Sequence, residues 1–308
     1  MKRNDILMIM PYFGALPRWF DLYLYTCIKN SFIDFLFITD CKGMNIPSCK
    51  NIKVVFETFG DYCLKVSNRL NINFCPELPY KICDLRPFFA IIHEEYLKGY
   101  KFWGYGDIDV VYGNLRLLLP VNRLMRYDVI SAHSDRLAGH FTVIRKESKY
   151  SRDCYNIKDW ERYLESNNVY GLDEHHFTEI VYPAQKFIWM LYRRVGKHLG
   201  IKYYSFFDFC NIIPRIFQRL YMKEFLTSVL PQDGEIWQYN TRDGKITNPQ
   251  NKEIPYLHFL FFKKTKFYNA KTYWGADFWQ INDDKLFNTD NTEDRTICFT
   301  NHEIYERK

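Results

Sequence analysis

"KFWGYGDIDVVYG", residues 101–113, sets two aspartates one residue apart inside a run of aromatic and β-branched residues. Such a run reads as a core strand, because these side chains fit a pleated, half-buried surface. Carboxylates are costly to bury unless something pairs with them. Residues two apart on an extended strand point the same way, so Asp107 and Asp109 would share one face while Ile108 packs into the opposite core. Glycines at 104, 106 and 113 would let the backbone turn sharply or approach a ligand closely. Two hard carboxylates converging at the C-terminal end of a strand make a site for Mg²⁺ or Mn²⁺, which typically brings a phosphorylated substrate with it. On these residues alone a pair of solvated turn aspartates remains the alternative.

Outward from this stretch, the first half of the chain alternates strand and helix patterns, which predicts an α/β layered fold. "DILMIM" (5–10) is a buried strand, "LPRWFDLYLYTCIKN" (16–30) a helix, and "DFLFITD" (34–40) and "NIKVVFET" (51–58) two further strands. "CDLRPFFAIIHEEYLKGY" (83–100) predicts a long helix with Asp84 as N-cap, Pro87 in the first turn and Gly99 as the stop. "DVISAH" and "HFTVIRK" follow as strands, "DEHHFTEIVY" (173–182) as a short helix, and "TRDGKIT" (241–247) as a hairpin. Residues 186–202 predict an amphipathic helix with Ile188, Leu191, Val195 and Leu199 on its apolar face. "IPYLHFLFFKK" (254–264) is a late strand, and beyond about residue 266 the chain turns rich in Asn and Asp. The expected division is a catalytic domain over 1–265, including a basic, aromatic helical subdomain at 186–232, and an appendage over 266–308.

Composition narrows the class. The 308 residues are 47% hydrophobic, 25% charged and 19% aromatic, enough for a large core. The net charge of +6 is local: residues 186–223 hold eight basic residues against one acid, Asp208, so the remainder is close to neutral. Nine scattered cysteines without a C-x-x-C pair point to reduced thiols and a cytoplasmic setting. "MKRNDILMIMPYFG" reads as a first strand, with too short an apolar run for a signal peptide. No nucleic-acid-binding signature accompanies the basic stretch, so nucleic acid is not expected as a partner. A metallohydrolase built on His175, His176 and Glu179 lacks the spacing of a known metal motif.

Taken in order, "PYFG" with "LPRWF", "FLFITD", "YKICDLRP", "FWGYGDIDVVYG", "GHFTVIR", "DEHHF" and "YLHF" resemble bacterial nucleotide-sugar glycosyltransferases of the GT-A fold, of the kind that build capsular and surface polysaccharides. The segments span residues 6–262. The resemblance implies a GT-A-like, Rossmann-like mixed sheet flanked by helices. It implies a donor that is a nucleoside-diphosphate sugar, UDP-hexose as the first expectation, and transfer to a glycan or lipid-linked acceptor. It assigns Asp107 and Asp109, with His258 as third ligand, to Mn²⁺ or Mg²⁺.

The same resemblance places Pro11, Tyr12, Phe13 and Gly14 around the nucleotide, with Tyr12 or Phe13 stacking on the base and Asp40 accepting from ribose or base. Lys81, Asp84 and Arg86 fall at the donor-binding helix start, and Lys263 would reach the diphosphate. Ile108 lies between the metal ligands. Arg136, Gly139 and His140 would line the sugar pocket, although His140 reads equally as a buried strand start. Asp173 or Glu174 would be the catalytic carboxylate, Asp173 slightly preferred. The basic aromatic stretch 186–223 has the makeup of an interfacial helix, so a peripheral position at the inner face of the cytoplasmic membrane is expected. A non-catalytic membrane-peripheral scaffold of a polysaccharide assembly system is the alternative reading.

Overall fold

The computed structural model describes residues 4–17, 19–44, 49–225, 234–258, 280–281, 294–300 and 303–307. Its centre is a seven-stranded mixed sheet in the order β3-β2-β1-β4-β7-β6-β8. The strands are β1 (Ile6–Pro11), β2 (Ile33–Thr39), β3 (Ile52–Phe56), β4 (Phe102–Gly106), β6 (Val129–Ser131), β7 (Phe141–Arg145) and β8 (Leu220–Met222). β1 to β4 pair in parallel, β7 runs antiparallel to both β4 and β6, and β8 is parallel to β6.

Residues alternate between the two faces of a strand, and here both faces are covered. Ile6, Met8 and Met10 of β1 join a core with Leu22, Tyr23 and Cys27 of helix α1 (Phe20–Lys29). Leu7 and Ile9 join a second core with Tyr62, Cys63, Val66 and Leu70 of helix α2 (Phe59–Leu70). A two-residue alternation thus becomes a sheet sandwiched between helices.

The chain leaves β1 towards β2 and β3, then returns on the other side of β1 as β4. In open α/β sheets such a reversal of strand order leaves a crevice at the C-terminal strand ends, where ligands bind. Segments 11–14 and 107–109 emerge beside this reversal.

Residues 101–113 are not one strand. β4 stops at Gly106, and after Asp107, Ile108 and Asp109 the chain continues as β5 (Val110–Tyr112), paired antiparallel with β12 (Tyr256–His258). A third sheet, β11-β10-β9-β14-β15-β13, holds β9 (Trp237–Asn240), β10 (Lys245–Thr247), β11 (Glu253–Ile254), β13 (Gln280–Ile281), β14 (Thr296–Phe299) and β15 (Glu303–Arg307). The hairpin expected at Asp243–Gly244 joins β9 to β10, with Gly244 at φ +68°.

Two predicted helices come out differently. Over 79–97 the chain forms a 3-10 helix (Pro79–Phe88), one α-turn (Phe89–Ile92) and a second 3-10 turn (Glu94–Leu97). Pro87 disfavours a continuous α-helix here, since it lacks an N–H and restricts its predecessor. Asp84 is no N-cap: its carboxylate accepts the N–H groups of Tyr170 and Leu172 and pairs with Lys81. The amphipathic stretch forms helices over Gln185–Leu191 and Tyr192–Gly196 and turns away at Gly200. Ile188 is buried, but Leu191, Val195 and Leu199 are exposed, so the apolar face is largely a surface.

Candidate metal centre

The break between β4 and β5 places the two aspartates. The Trp19 indole Nε1 donates to the Ile108 carbonyl at 2.9 Å, fixing the middle of the turn from α1's entrance. Ile108 is partly buried against the core. Beyond the turn, pairing of β5 with β12 sets His258 opposite Val110, next to Asp109. Asp107, Asp109 and His258 each offer a ligand atom, all within 4.8 Å of one another. Asp109 Oδ1 lies 3.6 Å from His258 Nε2, and both side chains are buried. Two carboxylates with an imidazole beside them form a donor set that could hold a divalent cation such as Mg²⁺ or Mn²⁺.

A row of side chains orients His258. His140 stacks on it with ring centroids 4.2 Å apart and planes 19° apart, and His140 Nε2 lies 2.9 Å from the Tyr256 hydroxyl. Burial, aided by the neighbouring His258 and His133, pushes the His140 pKa well below the ordinary value and keeps the ring neutral. His140 thus matches the reading of a buried strand-start residue, stacked behind the candidate ligand His258.

On the rim, Arg86 bridges two carboxylates. Its guanidinium contacts Asp107, and its Nη1 donates to Asp173 Oδ2 at 3.0 Å. Burial alone would lower the Arg86 pKa, but Asp107 and Asp173 outweigh it and raise it. Burial likewise raises Asp107, with Arg86 opposing and Asp109 reinforcing. Asp173, 1% exposed, is pushed up to about 6 by burial, with Arg86 again opposing. Glu174 is half-buried. Burial would raise it, yet Arg136, His133 and the Gly139 N–H hold it below the usual range. Arg136 Nε donates to Glu174 at 3.2 Å, and Gly139 N donates to it at 3.1 Å. A Cβ on Gly139 would sit 2.5 Å from Arg86 Nη1 and 3.1 Å from Glu174, so a larger residue there would push these side chains out of their present arrangement.

At the neighbouring strand ends, Gly14 adopts φ +105° and its N–H donates to Asp40 Oδ1 at 3.0 Å. Pro11 and Tyr12 are partly exposed, whereas Phe13 is buried against Phe59 and Tyr62. Phe13 belongs to the core, which leaves Tyr12 as the ring able to meet a base. Lys81 and Asp84 are also corrected: at 1% and 0% exposure they form an internal ion pair, with Lys81 capping the Tyr163 and Asn168 carbonyls. Lys263 lies outside the described residues. Gly104 and Gly106 serve packing and not ligand approach, since a Cβ there would strike Met8 and Thr142 or Tyr112 and His140.

Sequence reasoning passed over Trp19, Tyr256, His133 and Glu224. His133 Nδ1 lies 2.8 Å from Glu224, and its ring packs edge-on to His140 at 4.8 Å. His133 and His140 sit seven residues apart in one segment, a visible signal; a partner 91 residues away is not. His175, His176 and Glu179 do not join a metal-capable group among the described residues, and His176 stacks on Tyr163 instead.

The fold and site thus define a mixed α/β protein with an aspartate–histidine group that could hold a metal ion at the strand-order reversal of its sheet. The chain belongs to a family of unknown function, DUF6625, which matches residues 8–290. No curated protein matches it. Among solved structures, the apo form of mouse xyloside xylosyltransferase 1 is similar, with 10% identity and a TM-score of 0.37 over 58% of this chain and 82% of that one. The galactosyltransferase LgtC, in complex with donor and acceptor sugar analogues, is similar with 15% identity and a TM-score of 0.30, over 55% and 72%.

Proposed function

We propose that the protein is a metal-dependent glycosyltransferase that moves a hexose from a nucleoside-diphosphate sugar, UDP-linked as the first choice, to a hydroxyl of a glycan or lipid-linked saccharide in surface polysaccharide synthesis. The observation that carries this reading is the meeting of Asp107, Asp109 and His258 within 4.8 Å at the end of β4. The sequence resemblance assigns the same three residues to the cation.

Asp107, Asp109 and His258 would hold Mn²⁺ or Mg²⁺, which when bound supplies positive charge where a diphosphate leaving group develops its negative charge. Arg86 places a second, permanent positive charge at the same rim, held there by Asp173. Tyr12 and Asp40 flank the strand ends on the β1–β2 side, where a nucleoside would lie. Differing exposure divides the two candidate carboxylates. Asp173 is sealed against Arg86 and acts as a positioning residue. Glu174, half-buried beside Arg136 and ionised well below neutrality, is the more accessible of the two and so the carboxylate an acceptor hydroxyl or a developing sugar cation can reach.

The test is a thermal-shift and hydrolysis screen of nucleotide sugars with and without Mn²⁺. A nucleotide sugar that stabilises the protein only with Mn²⁺, and is hydrolysed or transferred, supports the reading. Absence of any metal-dependent stabilisation across the common uridine, guanosine, cytidine and thymidine donors rejects it.

A further inference from the structure

Thirteen large apolar side chains between Phe187 and Phe217 are exposed, against nine in all the other described residues. They lie on a compact helical unit: Gln185–Gly196 packs on Tyr203–Cys210 through Tyr192 against Tyr203 and Phe206, and Ile212–Phe217 follows. Buried anchors make the unit a fixed part of the fold. Ile188 and Phe207 enter the core, and Asn211 Nδ2 donates to the Ser134 and Met222 carbonyls at 2.6 and 3.2 Å. Anchored on its inner side, the unit still presents Phe187, Trp189, Phe209, Ile213 and Phe217 to solvent, at 62, 43, 72, 66 and 79% exposure. Soluble proteins rarely leave so many large apolar side chains of one short segment exposed without a partner.

Charge identifies the partner. The same stretch holds eight basic residues and one acid. Arg193, Arg194, Lys197, Lys202 and Lys223 are exposed among the apolar groups, with Arg193 over the Trp189 ring at 4.8 Å. A second copy of the chain would set two strongly basic faces against each other. An anionic surface that also accepts aromatic and aliphatic side chains complements both properties, and that combination is the interface of a bilayer rich in acidic lipids.

We infer that the exposed face of residues 187–217 is a docking surface for an anionic lipid bilayer, with Phe209, Ile213 and Phe217 entering the interface and Arg193, Arg194 and Lys197 meeting headgroup phosphates. Tyr203 of this unit donates to Asp135 Oδ2 at 3.0 Å, and Asp135 pairs with Arg136, so the docked face is coupled to the loop at the rim of the metal centre. Binding to lipid needs no nucleotide sugar, so the inference stands apart from the proposed reaction.

The experiment is co-sedimentation of the full chain with vesicles of pure phosphatidylcholine and of phosphatidylcholine mixed with phosphatidylglycerol, at low and high salt. Expected is binding to the anionic vesicles that weakens with salt and falls about tenfold or more in Arg193→Glu with Arg194→Glu. Ile213→Glu with Phe217→Glu, a second pair of exposed positions, should lose binding as well. Circular dichroism and the melting temperature of both variants should match the parent. Analytical ultracentrifugation should show a monomer without lipid. A parent that stays in the supernatant, binds both vesicle types alike, or forms a dimer that Ile213→Glu with Phe217→Glu dissociates overturns the inference.

Discussion

Asp107, Asp109 and His258 make unequal contributions to the centre. Asp109 and His258 are buried together, so an uncompensated change at either disturbs both. Asp107 is half-buried and shared with Arg86, so in the proposed site its carboxylate would serve a cation and a guanidinium at once. Asn at 107 or 109 keeps the volume and removes the charge. Both substitutions are expected to abolish calorimetric Mn²⁺ binding while leaving the far-UV spectrum intact. Tyr256→Phe removes only the hydroxyl that fixes His140 behind His258, and groups of that kind typically tune metal affinity by ~10–100-fold. A loss of about tenfold in Mn²⁺ affinity, with unchanged folding, is the expected result.

Asp173 gives a pH signature at the same scale. Its folded pKa of about 6 lies above the ordinary aspartate value, so it is protonated below that point and ionised above it. The ionised form holds Arg86 by the stronger, charge-assisted hydrogen bond. kcat/KM should therefore rise as pH increases through about 6, and the step should vanish from the residual activity of Asp173→Asn. Stability follows the opposite sign: the folded state takes up the proton more readily than the unfolded chain, so protonation of Asp173 favours folding at low pH and this contribution fades as pH rises through 6.

At the scale of elements, the segment 79–97 shows how a local pattern misleads. Its apolar spacing looks helical, yet Lys81 and Asp84 pair with each other and with backbone groups some 80 residues away. That clasp ties the segment to residues 163–172, directly before Asp173 and Glu174. Removing one partner of a buried pair strands the other charge, which costs about 3–5 kcal/mol. Lys81→Met should lower urea-unfolding stability by that amount, with the loss of a solvated surface lysine (a few tenths at most) as the outcome that contradicts it.

The strands β1, β2 and β7 were legible in the sequence because each is a short, nearly continuous apolar run buried on both faces. The Asp–Ile–Asp pair was legible because charge in a core strand demands a reason. Its exit from the sheet was not, since β5 leaves only to pair with β12, nearly 150 residues later. The same long-range dependence hid Tyr256 and Glu224. Phe13 misled for another reason: an aromatic residue at a strand exit has the same signature whether it faces a ligand or the core, and only the Phe59 and Tyr62 rings decide.

For the molecule as a whole, the question is how the C-terminal strands relate to the centre. β14 pairs with β9, and Ile297, Phe299 and Ile304 are fully buried in one core with Tyr239, Ile246, Val110, Tyr112 and Tyr256. β5 and β12, the strands that carry Val110 and His258, therefore rest on the same apolar interior as residues 296–307. Removing a buried phenyl ring leaves a cavity as well as lost transfer energy, typically about 3–5 kcal/mol. If this interior folds as one unit with the first sheet, Phe299→Ala should lower the midpoint of a single unfolding transition seen identically by far-UV signal and tryptophan fluorescence. The Mn²⁺-induced rise in melting temperature should persist in that variant, because binding to the folded state adds its stabilisation independently of the baseline. Two separated transitions, with only the lower one moved by Phe299→Ala and only the upper one raised by Mn²⁺, would instead mean that the C-terminal strands fold apart from the metal centre.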